Sequence, residues 1–190
     1  MELFWYNIKD MDAVAYDAAV KQMSRDKQQR MKGIANEDDR KRTAAADALA
    51  RRVLGEKLGL APADVAITCE DTGKPDVAGC ELYFSVSHSG AWVVCAVDTH
   101  PVGVDVEVIR GADEKFMHRV CSEAELSYIR FGDAGCYERF WECWTAKEAL
   151  FKLTGKGPLL RLSRLELPAD VALDHMLKNG CAVTTAVQLL

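Results

Sequence analysis

Regular alternation of apolar and polar residues marks the clearest predicted strand, PVGVDVEVI at residues 101–109. Valine fills every second position, and Gly103, Asp105 and Glu107 lie between the valines. Because successive side chains of a strand point to opposite faces, we expect the valines in a core and the two carboxylates on the other face, roughly 6–7 Å apart. Apolar runs rich in β-branched and aromatic residues predict further strands at residues 2–8, 63–71, 84–98 and 181–190.

Helical periodicity predicts four helices, at residues 12–31, 38–58, 113–130 and 136–154. In the second, Leu49, Val53 and Leu54 fall on one side, and acidic residues fill the first turn, where the helix dipole favours them. Loops are expected at 71–79 and 155–160, which are rich in turn residues. With strands clustered in two places and helices between them, the sequence predicts an α+β fold.

The segment FSVSHSGAWVVCAVD interrupts its own strand pattern. Ser87, His88, Ser89 and Gly90 are four small or polar residues in a row between two apolar runs. Because serine and glycine favour turns, the pattern predicts the turn of a β-hairpin at this point. A histidine there either caps an exposed amide or contacts a ligand.

The composition excludes several classes of protein. With 190 residues and a net charge of −5, the chain is long enough for a real core and lacks the basic balance of a nucleic-acid-binding protein. Its seven cysteines form no CxxC pair and lie mostly in apolar runs, which argues against structural zinc and disulfides and for a reducing, cytoplasmic location. No segment has the length of a membrane span, and the N-terminus does not resemble a signal peptide.

Residues suited to phosphate chemistry occur in two predicted elements. Close carboxylates repel, so Asp105 and Glu107 form either a solvated edge face or a site for a hard cation such as Mg²⁺. In the last predicted helix, Trp144, Glu148 and Lys152 stand four apart and share a face. Glu148 and Lys152 are either a surface ion pair or a third oxygen ligand beside a phosphate contact.

Motifs of other phosphate-binding and hydrolytic enzymes are missing from the sequence. It contains no GxxxxGK[ST] phosphate loop, no GxGxxG dinucleotide fingerprint, no GxSxG elbow and no zinc-enzyme spacing of histidine and cysteine. Lys74, in the loop sequence DTGKP, is then either a solvated turn residue or an isolated phosphate ligand.

Four motifs, taken in order, resemble one family of enzymes. They are GKP at 73–75, FSVSHSG at 84–90, VGVDVE at 102–107 and WTAKEALFKLTGKG at 144–157. Each is weak alone, but their joint order and spacing are similar to those of the 4′-phosphopantetheinyl transferases, specifically the double-length type that activates surfactin synthetase. The resemblance implies two similar α+β halves about a pseudo-twofold axis, at residues 1–100 and 101–190, with the active site in the cleft between them and a monomeric state.

The reaction that the resemblance implies is transfer of phosphopantetheine from coenzyme A to a serine hydroxyl of an apo acyl or peptidyl carrier protein, with release of 3′,5′-ADP. Asp105, Glu107 and Glu148 match the family's magnesium ligands, with manganese as an alternative metal. Lys152 matches the lysine that holds the pyrophosphate and protonates the leaving group. The proton acceptor is left open between Glu148, a metal-bound water and His88.

The resemblance also implies the contacts to coenzyme A. Lys74, Ser87 and His88 match contacts to its nucleotide and phosphates. Lys27, Arg30 and Arg42 fall near the family's cations for the 3′-phosphate, in a loosely matched region. Since the chain is acidic overall, we expect an acidic carrier protein to meet a local apolar and basic patch, for which the candidates are Phe116, Met117, Arg119 and Val120.

Two rival functions are compatible with the residues. One is another magnesium-dependent phosphotransferase that binds a nucleotide such as ATP in place of coenzyme A. The other is a carrier-binding module without chemistry. The clustering of Asp105, Glu107, Glu148 and Lys152 argues against the module, because mere binding does not require clustered carboxylates.

Overall fold

The computed structural model describes residues 1–69, 74–155 and 167–189. Its strands are β1 (Glu2–Asn7), β2 (Ile67–Cys69), β3 (Pro75–Val77), β4 (Tyr83–Ser89), β5 (Trp92–Asp98), β6 (Val102–Val108), β7 (Val171–Lys178) and β8 (Cys181–Gln188). Its α-helices are α1 (Ala13–Gln22), α2 (Arg25–Lys32), α3 (Glu37–Leu58), α4 (Glu114–Val120), α5 (Glu123–Ile129) and α6 (Cys136–Thr154). The mixture of helices and antiparallel sheets confirms the α+β fold class.

The two larger sheets repeat one topology. The first has the strand order β1-β5-β4 and the second the order β6-β8-β7, so the last strand of each set lies in the centre. In both sets the long helix, α3 or α6, follows the first strand along the chain. All pairings within these sheets are antiparallel. The fold therefore contains two similar sheet-and-helix units, with the short hairpin of β2 and β3 added to the first.

Each unit packs its long helix on one face of its sheet. In the first unit, Leu49, Val53 and Leu54 of α3 share a core with Phe84 and Val93 of the sheet. In the second unit, α6 crosses β6 and β8. The valines of β6 point away from α6, and this opposite face packs against β5 of the first unit, which joins the two units through a shared apolar core.

The strands of the two units meet at one extensive junction and at one smaller contact. Strand β4 lies beside β6, where the hydroxyl groups of Ser85 and Ser89 accept hydrogen bonds from the amides of Val104 and Val108 at 3.1 Å. Between the corresponding strands β7 and β1, the Lys178 ammonium lies 5.3 Å from the centre of a Trp5 ring. The repeated topology thus has two corresponding strand pairs between the units, with different chemistry at each.

Two helices predicted from the sequence are wrong as single elements. The predicted helix at 12–31 is divided into α1 and α2, because the Ser24 side chain accepts a hydrogen bond from the Lys27 amide and starts a new helix. The predicted helix at 113–130 is divided into α4 and α5, because Ser122 and Glu125 form a reciprocal capping box. In both places a local cap outweighs continued helical periodicity.

The predicted β-hairpin is confirmed, but its turn begins later than residue 87. Ser87, His88 and Ser89 continue β4 and pair with Val94, Val93 and Trp92. The turn is made instead by Gly90 and Ala91, and Gly90 has the positive φ of +56° that a tight turn requires. Part of the predicted loop at 71–79 is strand β3; residues 71–73 of that loop and 156–160 of the loop at 155–160 lie outside the described residues.

In the described part of the chain, no helix is both long enough and apolar enough to cross a membrane.

Gly103 allows the close approach of α6 to β6. A Cβ atom placed on Gly103 would overlap the carbonyl oxygen of Ala149 and lie 2.6 Å from the Leu153 amide nitrogen, both in the backbone of α6. A backbone cannot swing aside as a flexible side chain does, so the helix would have to move. Gly103 therefore fixes how deeply α6 packs.

We expect Gly103→Ala to lower the free energy of unfolding by about 2–3 kcal/mol, the usual cost of overpacking. The measurement is urea denaturation followed by circular dichroism. Gly33→Ala is the matched control, because a Cβ atom there makes only an ordinary 3.5 Å contact with the Arg30 carbonyl oxygen. Equal effects of the two substitutions would contradict the close-packing argument.

Candidate functional site

The candidate site lies on the face of β6 that α6 covers. Gly103, Asp105 and Glu107 point to this face, opposite the buried valines, as the alternation predicted. Glu148 and Lys152 follow one another by four residues on α6, so both reach the same region. The face is not a solvated edge: Asp105 is only 5% exposed.

A compact polar triangle joins the two units at this site. The Lys152 ammonium donates hydrogen bonds to Ser87 Oγ and to Asp105 Oδ1, each at 2.7 Å. The Ser87 hydroxyl in turn donates to Asp105 Oδ1, also at 2.7 Å. Because β4 supplies Ser87, β6 supplies Asp105 and α6 supplies Lys152, the triangle requires both units to be in place.

A second serine of β4 holds the second carboxylate. The Ser89 hydroxyl donates a hydrogen bond to Glu107 Oε2 at 2.6 Å and accepts one from the Val108 amide at 3.1 Å. Ser85, Ser87 and Ser89 all face β6, and we call these three residues the serine row. The role of Ser89 was not predicted from the sequence, although serine at every second position, 85, 87 and 89, indicates one face of a strand.

Two carboxylate oxygens at the site are buried without a partner. Within the described residues, Asp105 Oδ2 and Glu148 Oε1 have no hydrogen-bond partner. A buried acceptor left unpaired costs about 1–3 kcal/mol, and more when it is charged. Both oxygens are therefore available to a cation or to a proton donor on a substrate.

The pKa values of the neighbouring carboxyl groups also indicate an excess of negative charge at the site. Burial raises the pKa of Glu148 above its usual value, and the neighbouring charge of Asp105 raises it further. Burial also raises the pKa of Glu107, while the hydrogen bond from Ser89 opposes that shift. Lys152 supplies one positive charge against these carboxylates, so their mutual repulsion is only partly balanced.

The carboxylates suit a hard cation by chemistry. Mg²⁺ and Mn²⁺ prefer carboxylate oxygens, and the site offers unpaired oxygens from Asp105 and Glu148. Across residues 1–69, 74–155 and 167–189, however, no three histidine, cysteine, aspartate or glutamate side chains are already arranged to enclose a metal ion. Asp105 is drawn towards Lys152 and Glu107 towards Ser89. Asp105, Glu107 and Glu148 have the right chemistry for metal ligands, and their assignment as ligands stays a prediction.

A cleft of about 230 Å³ opens beside the triangle. Lys74, Phe84, Phe151 and Lys152 are among the residues that line it. The Lys74 ammonium donates a 2.8 Å hydrogen bond to the carbonyl oxygen of Leu153, near the end of α6. The structure therefore brings Lys74, Ser87 and Lys152 to one region, with apolar walls on which an uncharged part of a ligand can pack.

His88 and Arg42 lie together at the tip of the β4–β5 hairpin. Arg42 donates a 2.7 Å hydrogen bond to the Gly90 carbonyl oxygen and forms an ion pair with Asp39. Desolvation lowers the pKa of His88, and the positive charges of Lys152 and Arg42 lower it further. By strand alternation, His88 points away from the face that carries the serine row.

The two remaining predicted phosphate contacts lie on α2. Lys27 forms a 2.8 Å ion pair with the buried carboxylate of Asp47, which is also bound by Arg51 at 2.7 Å. This cluster fastens α2 to α3, so the Lys27 ammonium has a packing role that its sequence did not reveal. Arg30 is exposed on the same helix. A contact of either residue with a ligand stays a prediction.

Lys147, the neighbour of Glu148 in the sequence, has a structural role. Its ammonium is buried and donates 2.7 Å hydrogen bonds to the Val120 carbonyl oxygen and to Glu125. Lys147 therefore braces α6 against the corner between α4 and α5. It stabilises the helix that carries Glu148.

Comparisons with known proteins agree with the motifs. A family profile described as "4′-phosphopantetheinyl transferase, N-terminal" matches residues 11–100, and one described as "4′-phosphopantetheinyl transferase superfamily" matches residues 101–181. The 4′-phosphopantetheinyl transferase HetI of Nostoc is 31% identical over 171 residues, which cover 79% of this chain and 72% of the relative. The 4′-phosphopantetheinyl transferase Sfp of Bacillus subtilis is 30% identical over 150 residues, covering 78% and 64%. A further relative from Bacillus subtilis, named 4′-phosphopantetheinyl transferase, is 29% identical and is matched over 71% of its length.

Glu148→Gln should stabilise the protein in metal-free buffer at pH 7.5. The folded-state pKa of Glu148 is raised, so its ionised form opposes folding, and that penalty develops as the pH rises from about 4.5 through the folded-state pKa. We expect the thermal midpoint to rise by a few degrees at pH 7.5 in EDTA and the difference from wild type to vanish near pH 4.5. Glu56→Gln, at an exposed ion pair with Arg52, is the control. A lower midpoint for Glu148→Gln at pH 7.5 would contradict the conclusion that the ionised Glu148 carboxylate destabilises the folded protein.

Proposed function

Because this chain belongs to the 4′-phosphopantetheinyl transferase superfamily of enzymes, we propose that it moves phosphopantetheine from coenzyme A to a serine of an apo acyl or peptidyl carrier protein. The observation that carries the proposal is the Lys152–Ser87–Asp105 triangle, with unpaired oxygens of Asp105 and Glu148 next to the lined cleft. Positive and negative groups held at one junction suit a pyrophosphate ligand and the nucleophile that attacks it.

The transfer is a displacement at phosphorus. The carrier serine oxygen forms a bond to the phosphorus that bears pantetheine, and the bond from that phosphorus to the bridging oxygen breaks. The electron pair leaves with the bridging oxygen on 3′,5′-ADP. The serine proton passes to a base, and Lys152, as a cation at the junction, stabilises the negative charge that develops on the leaving group.

Glu148 is the base that the geometry favours. Its Oε1 is buried and unpaired, so this oxygen is available to accept the serine proton. The lowered pKa of His88 also leaves a neutral imidazole that can accept a proton. His88, however, belongs to the other face of β4 and suits a contact with the nucleotide better.

Asp105, Glu107 and Glu148 would hold Mg²⁺, or Mn²⁺ in its place. When bound, the cation would supply charge neutralisation for the pyrophosphate of coenzyme A. The chain's own contribution is to keep three carboxylates on rigid elements and largely away from water, with Asp105 only 5% exposed.

The cleft suits the remainder of coenzyme A. Lys74 and Lys152 lie at its polar side, and Phe84 and Phe151 give it an apolar wall. At the hairpin tip, Arg42 is a cation beside the imidazole of His88, an arrangement suited to the phosphorylated nucleotide. Arg30 and Lys27 complete the proposed contacts to the 3′-phosphate, and Lys27 would first have to leave Asp47.

The carrier surface expected from the sequence needs a correction. Met117 and Val120 are buried in the core of the second unit, 1% and 5% exposed, so they are not part of a docking patch. Phe116 is only partly buried; its ring centre lies 5.1 Å from that of Trp144, with the two rings tilted by 51°, and the Arg119 guanidinium lies 5.4 Å from the centre of the Phe116 ring. We propose that the acidic carrier meets Phe116 and Arg119 of α4 and Trp144 of α6, the helix that carries Glu148.

Intact-mass spectrometry of several apo carrier proteins tests the transfer. With this protein, coenzyme A and Mg²⁺, we expect the mass of one phosphopantetheinyl group to be added, and no addition in EDTA. Lys152→Met should lower kcat about 10²–10³-fold, because it removes the cation at the leaving group. Lys57→Met, which removes the same charge from an ion pair with Glu2, should not.

The mass measurement, combined with ligand-binding and thermal-stability measurements, separates the rival functions. No addition to any carrier, combined with binding of coenzyme A, would favour a binding module. Stronger thermal stabilisation by ATP than by coenzyme A would favour another phosphotransferase.

Charge reversal tests the carrier surface. We expect Arg119→Glu to raise KM for an acidic carrier about tenfold with little change in kcat, because like charges then face each other. The control is Arg52→Glu, which changes the net charge equally on the first unit. An unchanged KM for Arg119→Glu would mean that the carrier docks elsewhere.

A further inference from the structure

The three residues of the serine row do not perform the same task. Ser85, Ser87 and Ser89 are all at least nine-tenths buried and all face β6. Their bonds advance along β4 and β6 in the same direction, from Val104 to Val108, so the two strands run parallel at this junction. Side-chain hydroxyls thus supply links between two strands that belong to different sheets.

Ser89 is distinguished by the direction of its hydrogen bonds. Its Oγ accepts the Val108 amide proton, because a backbone amide can only donate. Its own proton is therefore directed at Glu107 Oε2, which can only accept when ionised. This second bond, 2.6 Å long, has the short distance of a charge-assisted hydrogen bond.

The hairpin tip holds Ser89 in place. Gly90 follows it with a positive φ of +56°, and a Cβ atom there would lie 2.7 Å from the Val108 Cγ2 atom. The turn is thus pressed against the same residue whose amide binds Ser89. Ser89 has little freedom to move, and its hydroxyl fixes the orientation of the Glu107 carboxylate in turn.

We infer that Ser89 is a positioning residue that orients Glu107 for binding a divalent cation. The inference rests on the proposed function, which places Glu107 among the metal ligands. With Oε2 held by Ser89, Oε1 is the oxygen that this bond leaves for the cation. Glu107 then enters the site with its rotamer already fixed, so binding does not have to order it.

Ser85 provides a matched control. Its Oγ accepts the Val104 amide proton at the same 3.1 Å distance, but the neighbouring residue on the α6 face of β6 is Gly103, which has no carboxylate. Ser85→Ala and Ser89→Ala each remove one link between β4 and β6. Only Ser89→Ala also releases Glu107.

The experiment is a titration of the full chain with Mn²⁺ alone, followed by electron paramagnetic resonance of the free ion and by isothermal calorimetry. We expect Ser89→Ala to weaken Mn²⁺ binding about tenfold, the lower end of the effect of removing a partner of a metal ligand. Ser85→Ala should leave the Mn²⁺ affinity unchanged, and it should lower the thermal midpoint by about as much as Ser89→Ala does. Ser89→Cys, which fills the space with a weak donor, should weaken binding as Ser89→Ala does and covers the case in which the alanine variant does not fold.

Unchanged Mn²⁺ affinity in the folded Ser89 variants, or an equal loss in Ser85→Ala, would overturn the role of Ser89. Carrier modification measured on the same preparations separates this failure from that of the proposed function. If wild type modifies a carrier and the Ser89 variants bind Mn²⁺ normally, only the role of Ser89 is wrong. If wild type neither binds Mn²⁺ nor modifies a carrier, both the function and this inference are wrong.

Discussion

The packing of α6 on β6 at Gly103 is the constraint from which the site follows. A helix lies this close to a strand only where the strand presents no side chain, and the backbone of α6 occupies the space that a Cβ atom would need. Since Glu148 and Lys152 are built on that helix, its depth sets their distance from Asp105. Lys147 holds the same helix from its other side, through Val120 and Glu125. Polar residues at the junction therefore depend on apolar packing and on one missing methyl group.

The junction is electrostatically costly in the free protein. Burial and the neighbouring charge of Asp105 raise the pKa values of Glu107 and Glu148, and two carboxylate oxygens at the site have no partner in the described residues. Such an arrangement weakens the fold by an amount that a bound cation and a phosphate ligand would restore. Functional sites commonly retain strain of this kind, because the interactions that relieve it are those made with the ligand.

The sequence predicted those parts of the site that depend on local pattern. Alternation alone placed Asp105 and Glu107 on one face of a strand, and spacing by four placed Glu148 and Lys152 on one face of a helix. It did not predict which element covers that face, because the contact of Gly103 with α6 joins segments far apart in the chain. Contacts between distant segments also explain why Met117 and Val120 were wrongly predicted to lie on a docking surface.

Met117 and Val120 read as part of an exposed patch until α6 is seen to cover them. The ion pair of Lys27 with the buried Asp47, twenty residues away, was likewise not predicted, and a contact of Lys27 with a phosphate stays a prediction. The breaks at Ser24 and Ser122, in contrast, could have been predicted from the sequence. Both serines are typical N-cap residues, but the helical periodicity on either side favoured one continuous helix.

The repeated topology gives the molecule two corresponding strand pairs between the units, and only β4 and β6 form an extensive junction. By strand order, β7 corresponds to β4 and β1 to β6, so the contact of Lys178 with Trp5 is the counterpart of the serine row. The β4–β6 junction gathers buried charge, whereas the contact of Lys178 with Trp5 lies beside apolar residues of the shared core. The candidate site is thus built at one of two corresponding positions in the repeated topology, and the other position contributes a packing contact. Substitutions at Trp5 should thus be constrained by one ring and one cation, whereas those at the β4–β6 junction must satisfy several buried charges at once.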